Sequence, residues 1–163
     1  MKKRKHKTFP PALRACWIKL NSTFGKRLQP TGITPDQYSV LRWIHELDQK
    51  AIYQKDLAKL LFTDSNNIAS LLNRMEQHGL IKRNPVQSDK RKKLVVATKL
   101  GKEKWLLCKQ IALDVEKTLT STLSIEERTF ISSTLKQISN YLNGYYIEDP
   151  IFKQTQVPSL DRQ

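Results

Sequence analysis

The sequence predicts a mainly α fold with a small β-hairpin: a winged helix-turn-helix domain plus N- and C-terminal dimerisation helices. Three observations predict it. First, QKDLAKLL (from Gln54) and NNIASLLNRMEQHGLIKR (from Asn66) carry apolar residues three and four apart and are joined only by FTDS, the pattern of two short helices meeting through a tight turn. Second, the apolar-rich segments Leu80–Arg83 and Leu94–Ala97 flank a polar, charged loop, as a two-stranded hairpin requires. Third, longer amphipathic stretches lie on both sides of this unit. At 163 residues the chain is one domain of ordinary size, able to bury a core without disulfide or metal staples.

Each element has its own signal. A first helix is expected after Pro10-Pro11, with Leu13, Cys16, Trp17, Leu20 and Phe24 on one stripe, ending near Gln29–Gly32 where Pro and Gly stop it. Thr34-Pro35-Asp36-Gln37 offers a cap, a proline at the first helical position and Gln three residues after the cap; the helix it starts turns Tyr38, Leu41, Trp43, Ile44 and Leu47 inward. After a polar turn at Asp48–Lys50, Leu57, Ala58 and Leu61 line a third helix. Thr63 or Asp64 caps a fourth, whose apolar face is Ile68, Leu71, Leu72 and Met75 and which Gly79 closes. In the C-terminal part, Trp105, Cys108, Ala112, Val115 and Leu119 stripe a long helix. Ser124-Ile125-Glu126-Glu127 is a capping box for a last helix carrying Ile131, Leu135, Ile138, Leu142 and Tyr145. The near-heptad seam of these two helices suggests a dimer interface, the alternative being that both stripes pack on the chain's own core.

The domain plan that follows is a basic leader over 1–9, expected to be disordered, a helical dimerisation region over 10–33 and 99–149, the winged unit over 34–98, and a loose tail over 150–163. No internal repeat is present.

The formal net charge of +14 points to a polyanionic partner, and its distribution is the sharper clue. Residues 1–33 hold nine Lys or Arg and no acid; between Lys82 and Lys93 six bases face one acid, Asp89; from Leu94 onward nine bases nearly balance eight acids. The charge therefore sits at the front and in the hairpin.

Other classes find little support. No apolar run approaches the roughly 20 residues of a membrane helix, and FPPALRACW after the basic start is too short and polar for a secretory signal, so a cytoplasmic protein is expected. Cys16 and Cys108 lie far apart without CxxC spacing or a nearby His, which argues against structural zinc and for reduced, buried thiols; no metal or cofactor is expected. There is no Gly-rich phosphate loop, and His6, His45 and His78 have no plausible nucleophile–acid pair in local reach, so an enzyme is not expected.

A helix N-terminus entering the major groove needs short polar side chains, and Ser65, Asn66, Asn67 and Ser70 supply them; Asn suits the donor–acceptor edge of adenine. Arg74, a turn further on, could reach a base or a phosphate. In the hairpin Lys90, Arg91, Lys92 and Lys93 form the tip; an Arg there suits a narrow minor groove, and Asp89 could hold Arg91 by a charged hydrogen bond. The bland alternatives are helix capping for the polar residues and a solvated loop for the bases.

These segments, together with ITPDQYSVLRWI, DLAKLL, SLLNRMEQHGLIKR and above all SDKRKKLVVATKLG, resemble the MarR/SlyA family of bacterial winged-helix transcription regulators over roughly residues 10–148. The resemblance implies a homodimer joined by its terminal helices on a near-palindromic double-stranded DNA operator, with Asp89 and Arg91 as the wing pair and Ser65–Ser70 opening the recognition helix. It also implies release by a small aromatic acidic ligand in a crevice bordered by the helices that carry Arg14, Trp17, Tyr38 and Trp43; taken singly, these are otherwise core aromatics and a surface Arg. Some members sense peroxides through a cysteine placed like Cys16, although here Pro35 stands where a supporting tyrosine would be and Gln29–Gly32 offers none. Tyr53 replaces the Thr that often caps the third helix. A sequence-specific dimeric regulator is the leading expectation, and a non-specific or architectural basic DNA-binding protein is the alternative.

Overall fold

The cap at Thr34 shows why the chain turns where it does. The Gln37 backbone N–H donates to Thr34 Oγ1 (3.3 Å), and the Thr34 N–H donates to Gln37 Oε1 (3.0 Å), so two donors that a helix start would leave unpaired satisfy each other's residues. The helix they open is α2 (Pro35–Glu46). The computed structural model describes residues 9–47, 51–86 and 89–143, in two units that meet in sequence at Leu113 and Asp114. The leader through Thr8, the turn at Asp48–Lys50 and the tail lie outside the described residues.

Helix α1 spans Phe9–Leu28 and so begins before the proline pair rather than after it. Proline is tolerated there because first-turn N–H groups have no helical partner to lose. Leu28 is fully buried, and Phe24 meets Tyr38 edge-on at 5.3 Å, so the C-terminal turns of α1 join the core. The stripe is nevertheless split along its length: Leu13, Cys16 and Trp17 are exposed, Trp17 at 62 %. A 3₁₀ turn (Gln29–Thr31) follows, and Gly32 ends it in the left-handed region at φ 73°.

The helix-turn-helix pair is α3 (Gln54–Leu60) and α4 (Ser65–Gln77). Tyr53 has no short side-chain acceptor to cap α3; instead the Asp56 carboxylate accepts the Tyr53 N–H at 3.0 Å, so the start is held from one side only. The turn between the helices places Phe62 at φ 51°, while Phe62 N–H bonds Lys59 O and Thr63 N–H bonds Ala58 O. That position favours glycine, because a Cβ in the left-handed region costs about 1–2 kcal/mol. Phe62 is 65 % exposed and recovers little by burial. Phe62→Gly is therefore expected to stabilise the protein by roughly 0.5–1 kcal/mol, the relief less the entropy that glycine loses on folding. A fall in the urea midpoint would contradict this account of the turn.

Leu57, Ile68, Leu72 and Met75 from this pair pack with Val40, Leu41, Trp43 and Ile44 of α2 in one core. Gly79, at φ 68°, closes α4 and turns the chain into the hairpin. Strands β1 (Ile81–Val86) and β2 (Asp89–Ala97) pair antiparallel from Ile81↔Ala97 to Pro85↔Lys93, with an irregularity before Val86↔Asp89. Both strands reach further into the charged segment than the four-residue stretches expected. Away from the core, a two-stranded ribbon is solvated on both faces, so its outer half carries no apolar alternation to read. The root of β2 is tied to the body by the Val95 N–H, which donates to Ile52 O at 2.9 Å.

Helix α5 spans Lys99–Thr120. Trp105 and Cys108 join the core, and Trp105 stacks on His45 of α2 with ring centroids 3.5 Å apart. Burial pushes the Cys108 thiol up, opposed by its hydrogen bond to Thr31 Oγ1 at 3.5 Å. Buried thiols were the expectation for both cysteines; it holds for Cys108, whereas Cys16 is exposed because its stretch of α1 has no described neighbour covering it. The second unit contains the end of α5 and α6 (Ile125–Asn143). Its capping box is formed: Ser124 N–H donates to Glu127 Oε2 (2.8 Å), and Glu127 N–H donates to Ser124 Oγ (3.2 Å). Ile131 and Leu135 of its stripe are exposed.

Candidate nucleic-acid interface

Helix α4 has two faces of opposite character. Ile68, Leu71, Leu72 and Met75 are buried, whereas Ser65, Asn66, Asn67, Ser70 and Arg74 are exposed. The 3.6-residue period fixes both sets at once, since anchoring the first set in the core turns the second to solvent. Asp64, not Thr63, is the cap: its Oδ1 accepts the N–H groups of Asn66 and Asn67, each at 2.8 Å. The same carboxylate accepts Asn67 Nδ2 at 2.6 Å through Oδ2. The amide group of Asn67 is thereby oriented, because a carboxylate oxygen can face only its NH₂ side. One N–H and the carbonyl of that amide remain, the pair adenine's major-groove edge would require. Asp64 also occupies N–H groups that would otherwise attract a phosphate, so contacts from this end must come from side chains.

Asn67, Ser70 and Arg74 also border an open cleft of about 380 Å³, completed by Asp36 and the turn at Leu61–Thr63. None of Arg14, Trp17, Tyr38 and Trp43 lines it. Arg14 and Trp17 are exposed one turn apart on α1, Trp43 is buried in the core, and Tyr38 is half-buried against Phe24.

The wing residues Asp89, Lys90, Arg91, Lys92 and Lys93 all fall on β2. Lys92 and Lys93 are exposed; the side chains of Asp89, Lys90 and Arg91, and so the expected Asp89–Arg91 bond, lie outside what is described.

Sequence reasoning passed over a group that joins helix to wing. Arg83 of β1 donates from its backbone N–H to Glu76 Oε1 (2.9 Å), from Nε to Glu76 Oε2 (3.0 Å), and from Nη2 to Glu76 Oε2 (2.5 Å) and Asn73 Oδ1 (2.6 Å). A signal was available: Arg83 stands two residues after buried Ile81, hence on the strand face that packs on α4, where a charge needs a partner. The Arg83 hydrogen bond holds the Glu76 carboxyl below its usual range, with burial opposing. A depressed folded-state value means that this stabilisation is complete above the ordinary carboxylate range and is lost as pH falls through the folded value. Acidification below about pH 4 is therefore expected to weaken the helix–wing joint. Glu76→Gln should flatten that part of the urea-midpoint profile, and an unaltered acid slope would refute the assignment.

A core shared by α2, α3 and α4, a polar outer face on α4 and an adjoining basic hairpin define a winged helix-turn-helix protein. The profile of the MarR family matches residues 33–93, from the start of α2 into the hairpin. The chain is 29% identical over 108 residues to the transcriptional regulator HosA of Escherichia coli, covering 66% of this chain and 78% of that one. Among solved structures, the S. aureus MepR–DNA complex matches with a TM-score of 0.78 and 25% identity over 85% of this chain and 100% of that one. A variant of MarR from E. coli complexed with operator DNA matches with a TM-score of 0.72 and 27% identity over 79% and 91%.

Proposed function

We propose that the chain is a sequence-specific double-stranded DNA-binding regulator that acts as a homodimer in the cytoplasm, with α4 in the major groove and the hairpin in an adjacent minor groove. The observation that carries this reading is the exposed row Ser65, Asn66, Asn67, Ser70 and Arg74, held outward by the buried face of the same helix. The DNA-bound complexes of MepR and MarR, whose folds match, support it. So does the density of Lys and Arg between Lys82 and Lys93.

Dimerisation is supported by apolar side chains that a lone chain leaves in water: Leu13, Trp17 and Ile18 in the first unit, and Ile131 and Leu135 in the second. On this reading the winged unit is 34–98 and the terminal helices join two copies. Light scattering should give twice the 19.0 kDa chain mass for the free protein, and that mass plus one duplex for the complex. At roughly physiological salt, unlabelled specific duplex should compete at least about a thousandfold better than shuffled duplex. A monomer, or equal competition, would overturn the reading in favour of a non-specific basic binder, for which the +14 charge would suffice.

A small aromatic acid is the proposed releasing ligand, with Arg14 and Trp17 the members of the crevice set open to it. DNA affinity unmoved by millimolar benzoate would retire that part.

A further inference from the structure

The hairpin is a lever with two anchors at its root. On one edge, Val95 N–H is bound to Ile52 O and Leu94 bridges Tyr53. On the other edge, Arg83 is bound by Glu76 and Asn73 of α4. Arg83 and Val95 are directly paired, so both anchors act at one level of the ribbon. Outward from that level Asn84, Pro85, Lys92 and Lys93 are exposed, and no buried apolar residue follows on either strand.

We propose that Arg83 is a positioning residue for DNA recognition: by clamping β1 to α4 through Glu76 and Asn73, it sets where the wing tip stands relative to the recognition-helix side chains. The inference rests on the DNA-binding reading above.

The magnitudes favour a geometric role. Arg91 is four residues beyond Val95, a reach of about 13 Å at roughly 3.3 Å per residue. A swing of about 10° at the root would move it by about 2 Å, enough to lose hydrogen-bond contact with a groove. As a source of stability the pair is modest, since the Glu76 side chain is 37% exposed and such ion pairs contribute little. Yet it is built for direction. The guanidinium bonds one carboxylate oxygen through both Nε and Nη2, while the other oxygen takes the backbone N–H on the open edge of β1. That N–H has no strand beyond it, so the carboxylate both satisfies the edge and aligns the strand with the helix.

The test is Arg83→Met in the full chain, with Arg83→Lys read in the same way should the first not fold; Lys keeps the charge but not the fork. Hydrogen exchange needs no DNA. The hairpin amides of Asn84 and Val86 and those from Lys92 to Leu94 should exchange at least about tenfold faster, while those of Leu72 and Met75 in α4 keep the wild-type rate. In a double-mutant cycle on specific duplex, Arg91→Ala should cost about 5- to 150-fold in affinity in the wild type but about threefold or less in the Arg83 variant. Equal losses in both backgrounds, or unchanged hairpin exchange, would overturn the proposal. A wild-type chain that binds no duplex selectively would instead refute the DNA reading, and the exchange arm would still decide whether Arg83 clamps the wing.

Discussion

Gly101→Ala is expected to unfold the winged unit more readily by about 3 kcal/mol, although glycine to alanine inside a helix ordinarily stabilises by about 1 kcal/mol. The reversal has a specific cause. A Cβ built on Gly101 overlaps the Leu80 carbonyl oxygen and comes within 3.3 Å of Leu41 Cδ2 in the core. Leu80 cannot retreat cheaply, because its carbonyl accepts the Thr98 N–H at 3.0 Å and lies 3.2 Å from Thr98 Oγ1. That hydroxyl also donates to Gly79 O at 2.6 Å and accepts the Gly101 N–H at 3.0 Å. The Thr-x-x-Gly spacing at Thr98–Gly101 is therefore a weld: threonine ties the start of α5 to the end of α4, and glycine lets the two backbones touch. A loss of about 3 kcal/mol is a large part of a typical domain's stability. Equilibrium urea unfolding of Gly101→Ala measures it, and a midpoint equal to or above wild type would show that the contact is not tight.

Arg91→Ala should weaken binding to a specific duplex by about 1–3 kcal/mol while leaving the urea midpoint in place. The residue lies on β2 four positions beyond Val95, the strand's buried position. An arginine that reads the negative potential of a narrow minor groove is also sensitive to the bases that set groove width. Lys92→Ala should behave differently, lowering affinity for every duplex alike and reducing the salt slope by about one. Fluorescence anisotropy against specific and shuffled duplexes separates the two. If Arg91→Ala lowers both affinities equally, the wing contributes charge and no reading.

The parts of this fold that were legible before the structure are those governed by neighbours in sequence. Thr34 with Gln37, and Ser124 with Glu127, are three-residue reciprocal caps and stand as read. The faces of α4 follow from periodicity alone, and with them the outward placing of Asn67, Ser70 and Arg74. What escaped reading depends on distance or on the absence of a local cue. Phe62 sits where glycine or asparagine would have announced a left-handed turn. Arg83 meets Glu76 across the Gly79 corner; strand alternation places Arg83 on the face toward α4 but does not name its partner. Spacing places Leu13, Cys16 and Trp17 on one stripe, but it does not say whether the chain's own core covers them, and that core leaves them exposed. The hairpin's charged half lacked alternation because water lies on both of its faces.

The central claim is that the exposed row on α4 reads bases from a dimer, and selection of binding sites from random duplex DNA at roughly physiological salt tests it most directly. The account predicts enrichment of an inverted repeat whose half-sites are about one helical turn apart. No enriched sequence, with binding that collapses as salt rises, would contradict it and reduce the site to its charge.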